Sequence, residues 1–207
     1  MRRSGEVRVH SSWTIAPRAA ESARRHRPTC PSGRPVLGSR RDVRSRSRTL
    51  AATPATTFLK SKKIAFDLLD YAHDPRAEAY GLEAADKLGL DPATVFKTLV
   101  VCDGAKAHAL ALVPVARKLG LPAAARALGW KRAEMGDKAD AQRLTGYVLG
   151  GISPFGTKRP LPVVADEALT AVARVHVSGG RRGLEIAIAP ADLVATLGAI
   201  VAPIAVD

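Results

Sequence analysis

Hydrophobic and polar positions change their order near Thr53. Residues 1–50 follow neither the two-residue period of a strand nor the 3.6-residue period of a helix, whereas the rest of the chain breaks into short apolar segments punctuated by Gly and Pro. Thr53-Pro54 reads as N-cap and first helical position of a helix running through Lys60, which Lys62-Lys63 ends. Ile64 to Tyr71 alternates in part, with Ile64, Phe66 and Leu68 on one face, and predicts a strand. His73-Asp74-Pro75 is a turn. Glu78 to Leu88 is a short helix closed by Gly89, and Asp91-Pro92 opens another helical turn. Lys97–Cys102 and Ala107–Val113 are strands about Asp103-Gly104, a hairpin signal. Helices follow over Pro122–Leu128, ended by Gly129, and Asp137–Leu144, capped by Asp137. Strands are predicted at Leu161–Ala165, Val172–Val177 and Leu184–Ala189, then a helix at Pro190–Leu197. Ala199–Ile204 is a last strand, which Pro203 confines to a sheet edge. Six or seven strands with five helices predict an α+β domain over 53–207, a mixed, curved sheet or barrel flanked by helices.

Composition alters this picture in one place. The chain has 207 residues and a net charge of +13. Residues 1–50 hold 13 Arg, no Lys and three acids, a net of +10, which leaves +3 for residues 51–207. The segment 1–52 is therefore expected to be a disordered Arg-rich leader, too polar to offset its ordering entropy. It fits a basic arm, a transit peptide or an upstream mis-assigned start, and the Lys-free Arg bias favours the last. No apolar run approaches the roughly 18 residues of a membrane span, so a soluble protein is expected. Cys30 and Cys102 form neither a disulfide framework nor a metal motif, which suits a reducing cytosol.

Candidate chemistry sits in two glycine-rich stretches, Gly146 to Gly156 and Val177 to Glu185, and in Lys97, which leads an apolar strand. Gly150-Gly151 allows a close backbone approach, and its N–H groups suit an oxyanion. Ser178-Gly179-Gly180 reads as a second nest of amides and equally as a plain hairpin turn. Lys97 is either a pocket ammonium or a lysine snorkelling from a strand end. Cys102 differs in parity from Lys97, so it faces away and reads as a small buried hydrophobe. Ser153 and Ser178 lack a GxSxG context, and His73, His108 and His176 show no partnering. No metal-ligand spacing occurs, and no cofactor is implied. Arg181-Arg182, Lys158-Arg159 and Lys131-Arg132 are candidate phosphate contacts.

The segments Tyr71-Ala72-His73-Asp74-Pro75, Val95-Phe96-Lys97-Thr98-Leu99, Thr145-Gly146-Tyr147, Gly150-Gly151-Ile152-Ser153-Pro154 and Val177-Ser178-Gly179-Gly180-Arg181-Arg182-Gly183-Leu184 resemble, in order, the YbaK/EbsC family. Its members are free-standing relatives of the editing domain of bacterial prolyl-tRNA synthetases, and the resemblance runs from Thr53 to about Ile204. It implies a cytoplasmic deacylase of mischarged tRNA, chiefly cysteine on tRNA(Pro), with Cys-tRNA(Cys) a further substrate and prolyl-tRNA synthetase a partner. Lys97, Gly150 and Gly151 carry over as catalytic positions. Tyr71, Phe96, Thr98, Ser153, Ser178, Gly179, Gly180 and Glu185 carry over as substrate-binding ones. Relatives often have Asp where this chain has Glu185, a carboxylate one methylene longer. The resemblance also implies that the thiol of the cysteinyl substrate attacks its own ester, so no protein nucleophile is needed. Two alternatives remain: a deacylase for alanyl- or another aminoacyl-tRNA(Pro), and a non-catalytic module that binds aminoacyl-tRNA or a synthetase.

Overall fold

A computed structural model describes residues 52–207 except Glu78; the leader 1–51 and Cys30 lie outside the described residues. In chain order the elements are α1 (Pro54–Ser61), β1 (Phe66–Asp70), α2 (Tyr80–Leu88), β2 (Val95–Cys102), β3 (His108–Pro114), β4 (Lys118–Leu119), α3 (Leu121–Leu128), β5 (Glu134–Met135), α4 (Lys138–Thr145), β6 (Val163–Asp166), β7 (Val175–Ser178), β8 (Leu184–Ile188), α5 (Pro190–Leu197), β9 (Ile200–Ala202) and β10 (Ala205–Val206). The α+β class holds, with five helices among the described residues. Local chemistry sets most of the boundaries. Thr53 closes a capping box with Thr56 ahead of Pro54, and the Asp137 carboxylate accepts from the Ala139 N–H at 2.7 Å.

The main sheet has eight strands in the order β1-β8-β7-β2-β3-β6-β9, with β5 attached to β2. It is mixed: β2/β3, β7/β8 and β1/β8 are antiparallel, whereas β2/β7, β3/β6 and β6/β9 are parallel. Its pairing path is open, running from β1 to β9, so the described strands form a sheet rather than a hydrogen-bonded closed barrel. The strand predicted over Ala199–Ile204 is an edge strand, as expected, but it spans only Ile200–Ala202 and ends ahead of Pro203. β4, β5 and β10 went unpredicted because two residues are too few to show a period. Asp91-Pro92 opens only a turn, in which the Asp91 carboxylate accepts from the Ala93 N–H at 2.9 Å and Val95 already enters the sheet. The strand expected from Val172 starts at Val175, because a 3₁₀ turn at Glu167–Ala171, capped by Asp166, precedes it.

Both sheet faces are covered, which explains why β3 is apolar from Ala109 to Pro114 instead of alternating with polar residues. Leu110 and Leu112 join Phe96, Val100, Val177, Ile186 and Ile188 on one face, under α1 and Phe155. Ala109, Ala111 and Val113 point the other way, toward Ala124 of α3 and Ile204. Asp166, 1 % exposed, ties the chain end to this layer: its Oδ2 accepts from the Ile204 and Ala205 N–H groups at 2.9 and 2.7 Å. Asp166→Ala leaves both amides unpartnered and is expected to cost about 2–4 kcal/mol. Chemical denaturation with an unchanged m value would check it.

Candidate active site

The site arises where the sheet divides along one edge of β2. Val95 and Phe96 pair with β7, and Val101 and Cys102 pair with β5. Lys97 to Leu99 lie between and have no strand on that side among the described residues. A cavity of about 600 Å³ opens at the gap. Tyr80 to Leu82 of α2, Met135 and Gly136, Lys138 and Ala141 of α4, and the loop residues Leu149, Gly150 and Ile152 form its walls.

The register explains which side chains converge. Phe96 lies beside Val177, and Ser178 lies opposite Glu185, so Lys97, Ser178 and Glu185 share one face of the sheet. The Lys97 ammonium donates to the Val115 and Arg117 carbonyls at 3.5 and 2.5 Å, and loss of hydration lowers its pKa from 10.5. Glu185 is 7 % exposed, and burial raises its carboxyl pKa to about 8. Thr98 points to the opposite face, and its buried Oγ1 has no hydrogen-bond partner among the described residues. Tyr71 stands beside the cavity rather than in its wall. Its backbone N–H donates to the Gly183 carbonyl at 3.0 Å, and burial, then the charges of Glu185 and Glu83, raises its phenol to about 12.

Gly150 is pressed against Tyr80. Its φ is +81°, and a Cβ there would sit 2.7 Å from the Tyr80 ring. Tyr80 is held from other sides by the Arg182 guanidinium, 4.7 Å from the ring centroid, and by the His73 ring at 5.7 Å. Glu83 fixes that arrangement: its carboxylate meets His73 Nδ1 at 2.8 Å and accepts from the Asp74 N–H at 2.6 Å. Gly150→Ala is therefore expected to cost about 1–2 kcal/mol in backbone strain and to push Tyr80 off the cavity wall. A lowered melting temperature together with a changed Tyr80 environment by NMR would check this.

Three expected donors are corrected by the hydrogen bonding. The Gly151 N–H donates to the Val148 carbonyl at 3.0 Å, and a Cβ on Gly151 would meet Arg181 Cα at 2.9 Å. That glycine packs one loop on the other and has no amide left for an oxyanion. The Gly179 N–H donates to the Leu184 carbonyl at 2.8 Å, and the Gly180 N–H faces Ser178 Oγ at 3.4 Å. The second loop is thus a satisfied hairpin turn, not an open nest. Ser153 is fully buried and receives the Phe155 N–H at 3.4 Å, outside the cavity.

Of the sequence-derived residues, Phe96, Lys97, Thr98, Gly150, Ser178 and Glu185 line the cavity, whereas Tyr71, Gly151, Ser153, Gly179 and Gly180 do not. Lys158, Arg159 and Arg181 are exposed; Arg182 packs on Tyr80 and donates to the Leu149 carbonyl at 3.0 Å. Tyr80, Leu82, Met135 and Lys138 were missed. Tyr80 ahead of Gly81 at a helix start was the only available signal. The described lining contains no Cys or His, and no metal-binding cluster occurs among the described residues. No helix among them is long and apolar enough to cross a membrane.

Residues 75–196 match the family model described as the aminoacyl-tRNA editing domain. The chain belongs to that family. It is 30 % identical over 146 residues to EbsC of Enterococcus faecalis, named as a candidate Cys-tRNA(Pro)/Cys-tRNA(Cys) deacylase; the match covers 70 % of this chain and 88 % of EbsC. A proline–tRNA ligase of Trichlorobacter lovleyi is 34 % identical over 91 residues, 44 % of this chain but 16 % of the ligase. A crystal structure of a candidate trans-editing enzyme for prolyl tRNA synthetase superposes with a TM-score of 0.67 at 27 % identity, covering 74 % of this chain and 96 % of that one. The expected fold and family are both borne out.

Proposed function

We propose that this editing domain, the folded unit 53–207, deacylates cysteine-mischarged tRNA, Cys-tRNA(Pro) first and Cys-tRNA(Cys) second, using the substrate's own thiol. The observation that carries the reading is a cavity whose described lining offers a lysine, a threonine, a serine and a carboxyl but no cysteine or histidine. Ser178 Oγ has no hydrogen bond to a histidine, lysine or carboxylate among the described residues, the contact that activates a serine nucleophile. The cysteinyl sulfur attacks the ester carbonyl carbon, a C–S bond forms, and the bond to the ribose oxygen breaks. That oxygen leaves with the proton given up by the thiol, and water then opens the released thiolactone to cysteine. The protein then has to orient the ester and stabilise charge on the carbonyl oxygen.

Lys97 is the main candidate for that stabilisation. Two carbonyls hold its ammonium in place, and reduced hydration strengthens its field. The Gly150 N–H donates no backbone hydrogen bond among the described residues and is proposed as a second donor at the cavity wall. Phe96, Thr98, Ser178 and Tyr80 shape the pocket, with Tyr71 behind Glu185. Lys158, Arg159 and Arg181 are proposed contacts for the acceptor stem, with prolyl-tRNA synthetase a candidate partner in the cytoplasm.

The test is deacylation of Cys-tRNA(Pro) beside Ala-tRNA(Pro). The reading expects rapid loss of the cysteinyl ester, slow loss of the alanyl ester, and near wild-type rates for Cys102→Ala. Equal cleavage of both esters would replace thiol attack by water attack. Binding of tRNA without turnover would leave a non-catalytic module.

A further inference from the structure

The resemblance implies a substrate-binding position at Glu185 without saying what it binds, and the proposed cleavage gives it no step, yet this carboxyl lines the cavity and is 7 % exposed. It forms no ion pair and accepts no side-chain hydrogen bond among the described residues. The groups facing it from neighbouring elements are the Tyr71 phenol after β1, with Glu83 of α2 behind it, Lys97 of β2, and Ser178 and His176 of β7. None of them neutralises it. Lys97 turns its ammonium to the Val115 and Arg117 carbonyls, and burial lowers the His176 pKa, disfavouring a charged ring. Lys138, the other lining cation, is exposed on α4. A buried carboxyl without a partner is costly in its charged form and is retained at neutral pH as the acid. Such a group is complementary to a cation brought in by the ligand.

An aminoacyl ester brings one: its α-ammonium, two bonds from the reacting carbonyl carbon. We infer that Glu185 is the subsite for the substrate's α-ammonium group, so that the cavity selects esters of free amino acids over desamino or N-blocked ones. This rests on the aminoacyl-ester reading above. On binding near neutral pH the carboxylic acid gives its proton to solvent, and the resulting carboxylate accepts a charge-assisted hydrogen bond from the ammonium. The bound pair is then electrically neutral.

The test uses non-hydrolysable probes: 3′-amino-3′-deoxyadenosine acylated through an amide with cysteine or with 3-mercaptopropionic acid, its desamino counterpart. Calorimetry should give the wild-type chain at least roughly tenfold tighter binding of the cysteinyl probe, the scale of one charge-assisted hydrogen bond. Run in two buffers of different ionisation enthalpy at pH 7, it should show release of about one proton with that probe and none with the other. Glu185→Gln should remove both the preference and the proton while still binding the desamino probe. Glu185→Asp should retain the preference. Equal affinity of the wild type for the two probes, or a preference that survives in Glu185→Gln, overturns the inference and leaves the deacylase reading standing. Failure of the wild type to bind either probe overturns it as well, and the Cys-tRNA(Pro) assay then judges the deacylase reading separately.

Discussion

Replacing Lys97 by Ala is expected to slow single-turnover deacylation of Cys-tRNA(Pro) by about 10²–10³-fold, the loss typical of one preorganised donor to a developing oxyanion. Lys97 stands where β2 has lost its neighbour on one side, and its ammonium is anchored by two backbone carbonyls at the cavity. Anchoring matters because a charge already oriented costs no reorganisation when the ester carbonyl gains negative charge. The same anchoring raises a competing explanation, that Lys97 merely pins the segment Val115–Arg117. Lys97→Met separates the two, since it keeps the apolar stem and removes the charge. The catalytic reading expects Met to be as inactive as Ala, with a melting temperature close to that of the wild type. A Met variant with nearly full activity, or a rate loss that tracks a large drop in stability, would assign Lys97 to the scaffold.

The second large effect concerns stability and its pH dependence. The Glu185 carboxyl titrates near pH 8 in the folded chain and ordinarily near 4.5, with burial as the cause. A raised folded-state pKa means that the folded state binds the proton more tightly than the unfolded state does. The associated stability is complete below about pH 4.5, falls as the pH rises toward 8, and levels off above that. At 1.36 kcal/mol per pKa unit, the loss across this window amounts to a few kcal/mol. Glu185→Gln keeps the shape and removes the titration. The variant is therefore expected to be more stable than the wild type at pH 9 by a few kcal/mol, with a much flatter profile. Urea unfolding at intervals from pH 5 to 9 checks this, and parallel curves for the two proteins would show that Glu185 ionises normally. The predicted gain also explains why an unpaired acid is costly to keep unless it serves a ligand.

The helix α5 was legible because its signals are local: Pro190 at the first position and Gly198 just beyond the last. The β2–β3 hairpin was equally legible from two apolar runs about Asp103-Gly104, and the register pairs Cys102 with His108 across that turn. The glycine motifs and Lys97 stood out as well, and Lys97, Gly150, Ser178 and Glu185 do converge on one cavity. Which glycine amides remain available was not legible. Gly150 and Gly151 look alike in sequence, but only Gly151 is committed to Val148 and packed on Arg181. Tyr80, Leu82 and Met135 escaped notice because nothing in their own segments marks them as cavity residues.

By itself the sequence determined the α+β class, most helices, the principal hairpin and the family, since caps, turns and period-2 or 3.6 patterns act over a few residues. The tertiary structure decided where the cavity lies, by bringing β7 against the start of β2 and β5 against its end while no other described strand pairs with Lys97 to Leu99 on that side. It also decided that Glu185 is buried without a counter-charge among the described residues, and that Gly151, Gly179 and Gly180 have their amides already satisfied. These outcomes depend on strands far apart in the chain, whose pairing sets hydration and hydrogen-bond supply at each group. Residue type and spacing alone carry no record of either.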